Sequence, residues 1–422
     1  MALTILIGLL SFLPSCNHED SGIEDELVER KDIPLTRSQA DFVKNNQHFA
    51  YELFRHISES EDEKDKSFIV SPLSVTIALG MVTNGAMGET RKEINNTLGY
   101  EDESLDDLNG FCKTILTESA GVDPSIAVEF ADMALINSCW VQLKEGFSKF
   151  IEDTYLANVV YKDFQKDDIT SYVNKWCDDK THGLIKDFLK GNPSPFDCAH
   201  FLNAAYFKGI WSSRFNSKNT KKKPFTLEGG DKKDVKTMNQ KANFDYYEIP
   251  QKASAVCLPY GNKAYSMTVI LPNEDVSLKD LVSSMDSGLW QEIVANKSLR
   301  VVDLTLPSFE SEYGTAGIRN ILIDMGIVKA FDPMTADFTE MTKNSAYIQD
   351  VLHKARIIVD EKGSEAAAVT DVYMAVTSSS GGPATPPPTL PEIKFHADRP
   401  FLYVISEVST GAIFFIGQYT GK

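Results

Sequence analysis

One stretch near the carboxyl end of this chain fits two incompatible local structures. Residues 363–375 read GSEAAAVTDVYMA and lead into chain that is rich in Ser and Pro. Alanine favours helix, and Val369 and Tyr373 recur at helical spacing. At a period of two residues, the same stretch has one uncharged face and places Glu365 and Asp371 on the other, as in a half-buried strand. Local propensity leaves both structures open.

The segments on either side favour extended chain. Upstream, residues 355–360 (ARIIVD) predict a strand that ends at residues 361–363 (EKG). Downstream, residues 391–395 (PEIKF) precede two apolar runs, at 401–405 and 412–416, which predict further strands. A strand, a mobile loop and closing strands with these sequences closely resemble the reactive-loop end of the serpins.

Further motifs resemble serpin segments and stand in the order of that family. They are residues 68–74 (FIVSPLS) with 85–90 (GAMGET), 174–185 (NKWCDDKTHGLI), 202–211 (LNAAYFKGIW) and 306–309 (LPSF). Several separated motifs in family order are not expected by coincidence. The chain is therefore identified as a member of the serpins, over almost everything after Ser38.

The patterns along the chain predict an α+β fold. Ser38 with Asp41 predicts the capped start of a first helix, and Ser71 followed by Pro72 predicts a second, buried helix. From Val301 onward, apolar residues alternate with polar ones, so the later chain is rich in strands. The roughly 385 residues after Ser38 contain no internal linker, which favours one domain.

The resemblance implies the details of that domain. Residues 38–422 would form the serpin fold, a single large domain with a central mixed β-sheet, further sheets and about eight to nine helices. An exposed reactive-centre loop would lie at about residues 361–391. The Pro- and Ser-rich segment 378–391 is then an excursion from a finished domain, because the strands after it need partners upstream.

The resemblance also implies protease inhibition without enzymatic activity. A protease cleaves the loop and is trapped as a covalent acyl-enzyme while the loop enters the main sheet as a new strand. Counting from Glu361 places the cleaved bond at Thr377-Ser378, with Met374 and Val376 as alternatives. The residues that form the hinge of the loop are Glu361, Gly363, Ser364, Glu365, Ala366, Ala367 and Ala368.

A second set of residues matches the polar cluster beneath the main sheet of the family, where opening of the sheet must break hydrogen bonds. This sheet-opening cluster consists of Ser71, Ser74, Asn203 and His353, with Trp211 at the point where insertion begins. Many members have Lys after Leu-Pro, where this chain has Ser308. That difference puts a charge partner for Glu361 at this position in doubt.

The loop composition favours inhibition over the alternative, a non-inhibitory serpin that acts as a binding or carrier protein. The face that would enter the sheet contains neither Pro nor charge. No Lys or Arg lies between Gly363 and Lys394, and small or β-branched residues at the cut suit shallow specificity pockets. The expected partner of a monomeric inhibitor is therefore an elastase-like or subtilisin-like protease, of the serine or alternatively the cysteine class.

The start of the chain resembles a bacterial lipoprotein signal. The apolar residues 3–12 lead into LPSC, with Cys16 as the lipidated residue, and are too few to span a membrane. No Lys or Arg precedes them and Pro14 stands where a small residue is usual, so an ordinary secretory signal is the alternative. Residues 17–37 would form an acidic, flexible tether. We expect a lipid-anchored protein of the bacterial cell envelope, at the outer membrane or cell surface, or else a secreted one.

Composition and motifs argue against other functions. The net charge of −18 disfavours nucleic acid, and HExxH, Gly-rich phosphate-loop and GxSxG motifs are absent, so no metal or cofactor is expected. Besides Cys16, the odd number of cysteines predicts free thiols. Cys177 near His182 could suggest a nucleophile and its base, but sequence adjacency rarely builds such a pair, and structural burial is favoured.

Overall fold

The computed structural model describes residues 29–100, 105–314, 317–364 and 392–422. Within these ranges, two β-sheets pack with nine α-helices into an α+β fold. The predicted fold class, with its central mixed sheet and eight to nine helices, is confirmed. The predicted loop lies outside the described residues from residue 365 to residue 391, and so do residues 1–28 with the predicted signal and Cys16.

The helices concentrate in the first half of the chain. They are α1 (Arg37–Glu59), α2 (Pro72–Gly85), α3 (Gly88–Thr97), α4 (Asp106–Glu118), α5 (Glu145–Tyr155), α6 (Ile169–Lys180), α7 (Leu278–Ser284), α8 (Ser287–Asn296) and α9 (Arg319–Asp324). A search of the helices in the described ranges finds none with the length and hydropathy needed to cross a bilayer.

The starts of the first two helices test the capping predictions. Ser71 caps α2 as predicted, because its Oγ accepts a hydrogen bond from the backbone N–H of Ser74, at 3.2 Å. For α1 the prediction was wrong by two residues. Thr36 is the cap, since its Oγ1 accepts from the N–H of Gln39, whose side chain accepts in turn from the N–H of Thr36. Upstream of that cap Ile33 is buried, within the segment assigned to the tether.

The described ranges contain fifteen strands, of which twelve follow α6. They are β1 (Phe68–Val70), β2 (Ile126–Asn137), β3 (Asn158–Lys162), β4 (Ala199–Ile210), β5 (Lys221–Thr226), β6 (Lys232–Ile249), β7 (Ala253–Tyr260), β8 (Tyr265–Pro272), β9 (Ser298–Pro307), β10 (Phe309–Tyr313), β11 (Asp350–Val359), β12 (Gly363–Ser364), β13 (Glu392–His396), β14 (Phe401–Glu407) and β15 (Ile413–Tyr419).

The strands form two sheets of different composition. The nine-stranded sheet has the order β1-β15-β14-β8-β7-β6-β9-β13, with β5 paired to β6. The six-stranded sheet has the order β10-β11-β12-β4-β2-β3 and also pairs β11 directly with β4. The β2–β3 and β4–β11 pairs are parallel and the others antiparallel, so this sheet is mixed.

Both faces of the six-stranded sheet are covered. Its inner face, with Phe201 and Phe207 of β4, belongs to the main core, which also contains α2 and the nine-stranded sheet. Its outer face, with Leu202 of β4, packs against Val173 and Cys177 of α6 in a second core. A strand that is buried on both faces reads as a continuous apolar run, as β4 does.

Candidate functional site

The contact between β4 and β11 changes along its length. In one half, which we call the lower boundary, residues 350–355 of β11 pair in parallel with residues 200–205 of β4. In the other half, the upper opening, the two short residues of β12 lie between the same strands. Gly363 and Ser364 pair with Ile210 and Gly209 on one side, and Ser364 pairs with Val359 on the other.

A tight turn places β12 in the upper opening. The carboxylate of Asp360 accepts hydrogen bonds from the N–H groups of Lys362, at 2.8 Å, and Gly363, at 3.2 Å. The N–H of Asp360 donates to the carbonyl of Gly363, at 2.8 Å. An Asp that caps its own turn fixes the direction in which the chain re-enters the sheet.

Two stacked aromatic rings close the upper opening from the side of β4. Trp211 donates from its backbone N–H to the carbonyl of Lys362 and from Nε1 to the carbonyl of Asp360, both at 2.9 Å. Its ring stacks on Tyr260 with centroids 4.3 Å apart. The hydroxyl of Tyr260 lies 2.6 Å from Oγ of Ser364, which is fully buried. The polar groups of Trp211 and Tyr260 therefore find their partners in the turn at Asp360 and Lys362 and in β12.

Glycine is required at residue 363 by its close approach to β4. A Cβ at this position would collide with the carbonyl oxygen of Gly209 and crowd Cα of Ile210. Only a residue without a side chain lets the turn lie this deep between the strands. The glycine of the predicted hinge is therefore explained by packing.

The charge partner of Glu361 is a lysine on another strand. Nζ of Lys236 in β6 lies 2.9 Å from a carboxylate oxygen of Glu361. Partial burial opposes ionisation of Glu361, but the hydrogen bonds it receives, that of Lys236 first, lower the pKa of this carboxyl below its ordinary value. Ser308, at the position in doubt, donates instead to the carbonyl of Val359, at 3.1 Å.

A row of polar side chains crosses the lower boundary. Asp132, Asn203 and His353 are cross-strand neighbours on β2, β4 and β11. Nδ2 of Asn203 donates to Oδ1 of Asp132, at 2.7 Å, and Oδ1 of Asn203 lies 3.1 Å from Nδ1 of His353. Nε2 of His353 accepts from the N–H of Ser71, at 3.1 Å, so the proton resides on Nδ1 and is donated to Asn203.

Burial sets the charge state of this row. Burial lowers the pKa of His353 to about 3, so its imidazole is neutral and can accept from Ser71. Burial raises the pKa of Asp132 to about 7, although the hydrogen bond from Asn203 acts in the opposite direction. Oδ2 of Asp132 and Oγ of Ser74 have no hydrogen-bond partner among the described residues. The row thus contains a carboxyl that is close to its titration point at neutral pH.

Comparison with known protein families identifies the family to which this fold belongs. The sequence model of the family described as Serpin (serine protease inhibitor) matches residues 44–421. The chain is a serpin. Serpins are protease inhibitors and not enzymes.

Characterised relatives extend over nearly the whole serpin. Antithrombin-III of Mus musculus is 29% identical over 95% of this chain and 85% of its own length. A leukocyte elastase inhibitor of Xenopus laevis is 30% identical over 88% of this chain and 97% of its own length.

Solved serpin structures share the fold. The thermophilic serpin tengpin, crystallised in its native state, superposes with a TM-score of 0.80 at 28% identity, over 94% of this chain and 98% of its own. Human thyroxine-binding globulin in complex with thyroxine superposes with a TM-score of 0.80 at 22% identity, over 90% of this chain and 98% of its own. The second likeness shows the fold alone.

The structure brings together most of the described residues that the sequence singled out. Ser71, Ser74, Asn203 and His353 meet at the lower boundary, whereas Trp211 lies apart from them at the upper opening. The remaining predicted residues lie outside the described ranges. These are Glu365, Ala366, Ala367, Ala368, Met374, Val376, Thr377, Ser378 and Cys16.

Sequence reasoning missed the partners that come from distant strands. The sequence offered a reason to single out Asp132, because it is a carboxyl inside the apolar run of β2. It offered no such reason for Tyr260 or Lys236. The suggested pair of Cys177 and His182 does not form a catalytic site in this serpin. Burial raises the pKa of Cys177 to about 12, and the exposed His182 contacts Glu129 instead.

The other thiols and the acidic residues form no further site within the described ranges. The five described cysteines are free, with Cys139 exposed and Cys112, Cys177 and Cys257 buried. In the same part of the chain, no group of three or more His, Cys, Asp or Glu side chains is arranged to hold a metal ion.

Proposed function

We propose that this serpin inhibits serine proteases by inserting its cleaved loop between β4 and β11. The observation that carries the proposal is β12, because Gly363 and Ser364 already occupy the upper end of the path that the loop would follow. Insertion would then lengthen an existing strand and need not nucleate a new one.

The register of the sheet supports this extension. Val359 and Gly209 flank Ser364 and stand 150 residues apart in sequence, as do Ala355 and Ala205 in the lower boundary. The strands therefore need only separate, without sliding along each other, to admit more of the loop. Each further loop residue would pair one residue closer to the start of β4, so Met374 would reach Ala199.

The inserted residues would alternate between the two faces of the sheet. Ser364 faces the main core, where it meets Tyr260. By the period of a strand, Ala366, Ala368, Thr370, Val372 and Met374 would follow it to that face. These are the uncharged residues that the sequence grouped together, so the core face would receive no unpaired charge.

Thr370 would arrive at the polar row. In the continued register it lies opposite both Asn203 and His353, whose hydrogen bond must break when the strands separate. A hydroxyl can accept from Nδ1–H of His353 and donate to Oδ1 of Asn203 at the same time. An apolar residue would leave both groups unpaired, at about 1–3 kcal/mol each.

Loop residues that point to the outer face of the sheet would meet a different environment. Asp371 would arrive between Leu202 and Leu352, where Leu202 is covered by α6. Asp371 was expected on a face that stays exposed, whereas α6 covers Leu202 at this level of the sheet in the intact protein. Opening must therefore move α6 outward or place the carboxylate toward Lys354, two residues further along β11.

The finer assignments are part of the same proposal. Counting from Glu361 places the cleavage at Thr377-Ser378, with Met374 and Val376 as alternatives, and the loop composition favours an elastase-like or subtilisin-like enzyme. Lipidation at Cys16 would hold a monomeric domain, tethered by residues 17–37, at a bacterial envelope.

Labelling with a fatty-acid probe tests this lipid anchor. If Cys16 is lipidated, the full chain should incorporate the probe and the Cys16→Ala variant should not.

Incubation with pancreatic elastase and with subtilisin tests the inhibition. We expect a complex that survives boiling in detergent. We also expect the release of a carboxyl-terminal peptide whose mass corresponds to a first residue at Ser378. Cleavage by every protease of a panel without any stable complex would favour the alternative, a non-inhibitory binding or carrier serpin.

A further inference from the structure

The turn before β5 and the strands β5 and β6 carry a surface that is rich in lysine. Between residues 218 and 236 the chain has seven lysines and three acidic residues. The whole chain has the opposite balance, with 42 Lys and Arg residues against 60 Asp and Glu residues. This part of a strongly acidic protein is therefore positively charged. The seven side chains, which we call the lysine surface, are Lys218, Lys221, Lys222, Lys223, Lys232, Lys233 and Lys236.

The pairing of β5 with β6 concentrates the positive charge. Lys222 lies directly opposite Lys236 in this antiparallel pair, and Lys232 lies on the same face of β6. All three residues are exposed. Like charges directly opposite each other destabilise a strand pair. An anion that lies across these two strands would therefore relieve an unfavourable contact.

Five lysines of this surface have no carboxylate partner in the described part of the chain. Of the other two, Lys236 contacts Glu361, and Nζ of Lys233 donates to the carbonyl of Gly421, at 2.7 Å. The nearby Glu228 is engaged elsewhere, since its carboxylate accepts from the backbone N–H that begins α7, at 3.2 Å. The five unpaired side chains, whose charge is available to a ligand, are Lys218, Lys221, Lys222, Lys223 and Lys232.

Lysines outside this surface do find carboxylates. Because the protein has an excess of acidic residues, a group of five unpaired lysines is not explained by a lack of partners. The group indicates a surface that is kept free for an anion from outside the domain. The lysines that form ion pairs elsewhere in the described ranges are Lys44, Lys64, Lys92, Lys166, Lys175, Lys241, Lys297, Lys329 and Lys354.

The composition of the lysine surface indicates the chemistry of its ligand. Lysine ammonium groups act as point charges without the planar fork of arginine, so they suit sulfate or phosphate groups spread along a chain. Alternate side chains on one face of a strand stand about 7 Å apart, so an extended polymer can contact several of them at once. None of the large apolar side chains that are exposed in the described ranges belongs to residues 218–236. The surface therefore lacks the apolar centre of a protein interface and the aromatic rings on which single-stranded nucleic acid stacks.

We propose that the lysine surface binds a linear polysaccharide that carries sulfate or phosphate groups. The net charge of −18 restricts the contact to this surface, because the acidic remainder of the domain repels the polymer. Affinity should fall as salt rises, since each neutralised anionic group releases a counterion. The surface contains no residue of the reactive loop, so binding does not require the proposed inhibition.

The test measures binding of the intact full chain to dextran sulfate, phosphorylated dextran and unmodified dextran at several salt concentrations. The surface variant combines Lys221→Gln, Lys222→Gln and Lys223→Gln. The control variant changes three exposed lysines that have ion pairs elsewhere, by Lys44→Gln, Lys64→Gln and Lys92→Gln. Both variants lose three positive charges, so only the position of the lost charge differs. Thermal melts verify that both are folded.

We expect the parent chain and the control variant to bind at least one of the charged dextrans with affinities within about twofold of each other, and not to bind unmodified dextran. The surface variant should bind at least about tenfold more weakly at about 50 mM salt. The slope of log affinity against log salt should become shallower by about 2, because three contacts contribute about 0.7 each. The charged dextran that binds more tightly identifies sulfate or phosphate as the recognised group.

Three results would contradict the proposal. An equal loss of affinity in both variants would show that net charge alone governs the interaction, with no defined site. Binding of unmodified dextran, or no binding of either charged dextran, would exclude a polyanion site. Tighter binding of a single-stranded oligothymidine than of either charged dextran would assign the lysine surface to nucleic acid instead.

Discussion

The upper opening and the lower boundary join the same two strands in opposite ways. At the upper opening, two small residues lie between β4 and β11 and satisfy groups that come from outside both strands, namely Trp211 and Tyr260. At the lower boundary, the strands bond to each other directly, and a buried polar row crosses them. The upper end already holds a short strand, whereas the lower end would have to break before a strand could enter it.

If the loop inserts as proposed, this difference locates the barrier. Lengthening β12 would exchange one parallel ladder for two antiparallel ones, so backbone hydrogen bonds would be gained overall. The cost falls on the row of Asp132, Asn203 and His353, because its side chains lose partners before the incoming residue can replace them. Substitutions at the two ends should therefore have different consequences.

The largest effect is expected at the upper opening from Ser364→Arg. Ser364 is fully buried against Tyr260, and a guanidinium there costs several kcal/mol, enough to slow insertion relative to hydrolysis of the acyl-enzyme. The protein should fold but become a substrate, with a complex yield at least about tenfold lower on a detergent gel. Ser364→Ala is the control, since it removes only the hydroxyl contact. Full inhibition by Ser364→Arg would show that insertion does not begin here.

At the lower boundary, Asn203→Ala should destabilise the intact protein. The change leaves Oδ1 of Asp132 and Nδ1–H of His353 without partners, at a cost of about 3 kcal/mol. The thermal midpoint should fall by about 5 °C. Asn239→Ala, in the other sheet, is the control, because its side chain makes only longer bonds of 3.2 and 3.4 Å. Equal midpoints for both variants would mean that the polar row does not hold the strands.

Asp132 should make the lower boundary sensitive to pH. Its pKa is raised to about 7, so the folded state prefers the protonated carboxyl, and this stability is full below about pH 4 and lost as pH rises to about 7. Cys112 and Tyr155, which interact electrostatically with Asp132, and His353, on the other side of Asn203, are uncharged there, because burial raises the pKa of the first two and lowers that of the third.

Thermal melts of the parent chain and Asp132→Asn across pH measure this effect. The variant should gain about 2–3 kcal/mol relative to the parent between about pH 5 and pH 8. Asp303→Asn, at a carboxyl that is 31% exposed on the other sheet, is the control for the removal of one carboxyl group. A constant difference between parent and Asp132→Asn would place the pKa of Asp132 near its ordinary value.

The smallest effect is expected from Lys236→Ala, which removes the partner of Glu361 at the upper opening. Lys236 is 56% exposed, so the ion pair contributes less than about 1 kcal/mol. The midpoint should move by no more than about 2 °C, and inhibition should continue. Lys232→Ala on the same strand is the control. A large loss of inhibition would mean that Glu361 controls the hinge through its charge.

The two ends also differ in how far the sequence predicted them. Ser71, Asn203 and His353 lie in or beside local motifs, so their meeting at the lower boundary could be expected before the strands were placed. Tyr260 and Lys236 reach the upper opening from 104 and 125 residues away, and their positions follow from the packing of two sheets. The prior insertion of Ser364 depends on those tertiary contacts, and local propensity could not predict it.

Thermal melts of intact and loop-cleaved protein, matched in buffer and concentration, test the proposed insertion most directly. About a dozen new backbone hydrogen bonds and the burial of Val372 and Met374 should release about 10 kcal/mol once the loop is cut. Since each kcal/mol moves the midpoint of a large domain by at least about a degree, cleavage between Val376 and Ser378 should raise it by tens of degrees. A midpoint that stays constant or falls after cleavage would show that β12 does not extend and that the lower boundary stays closed.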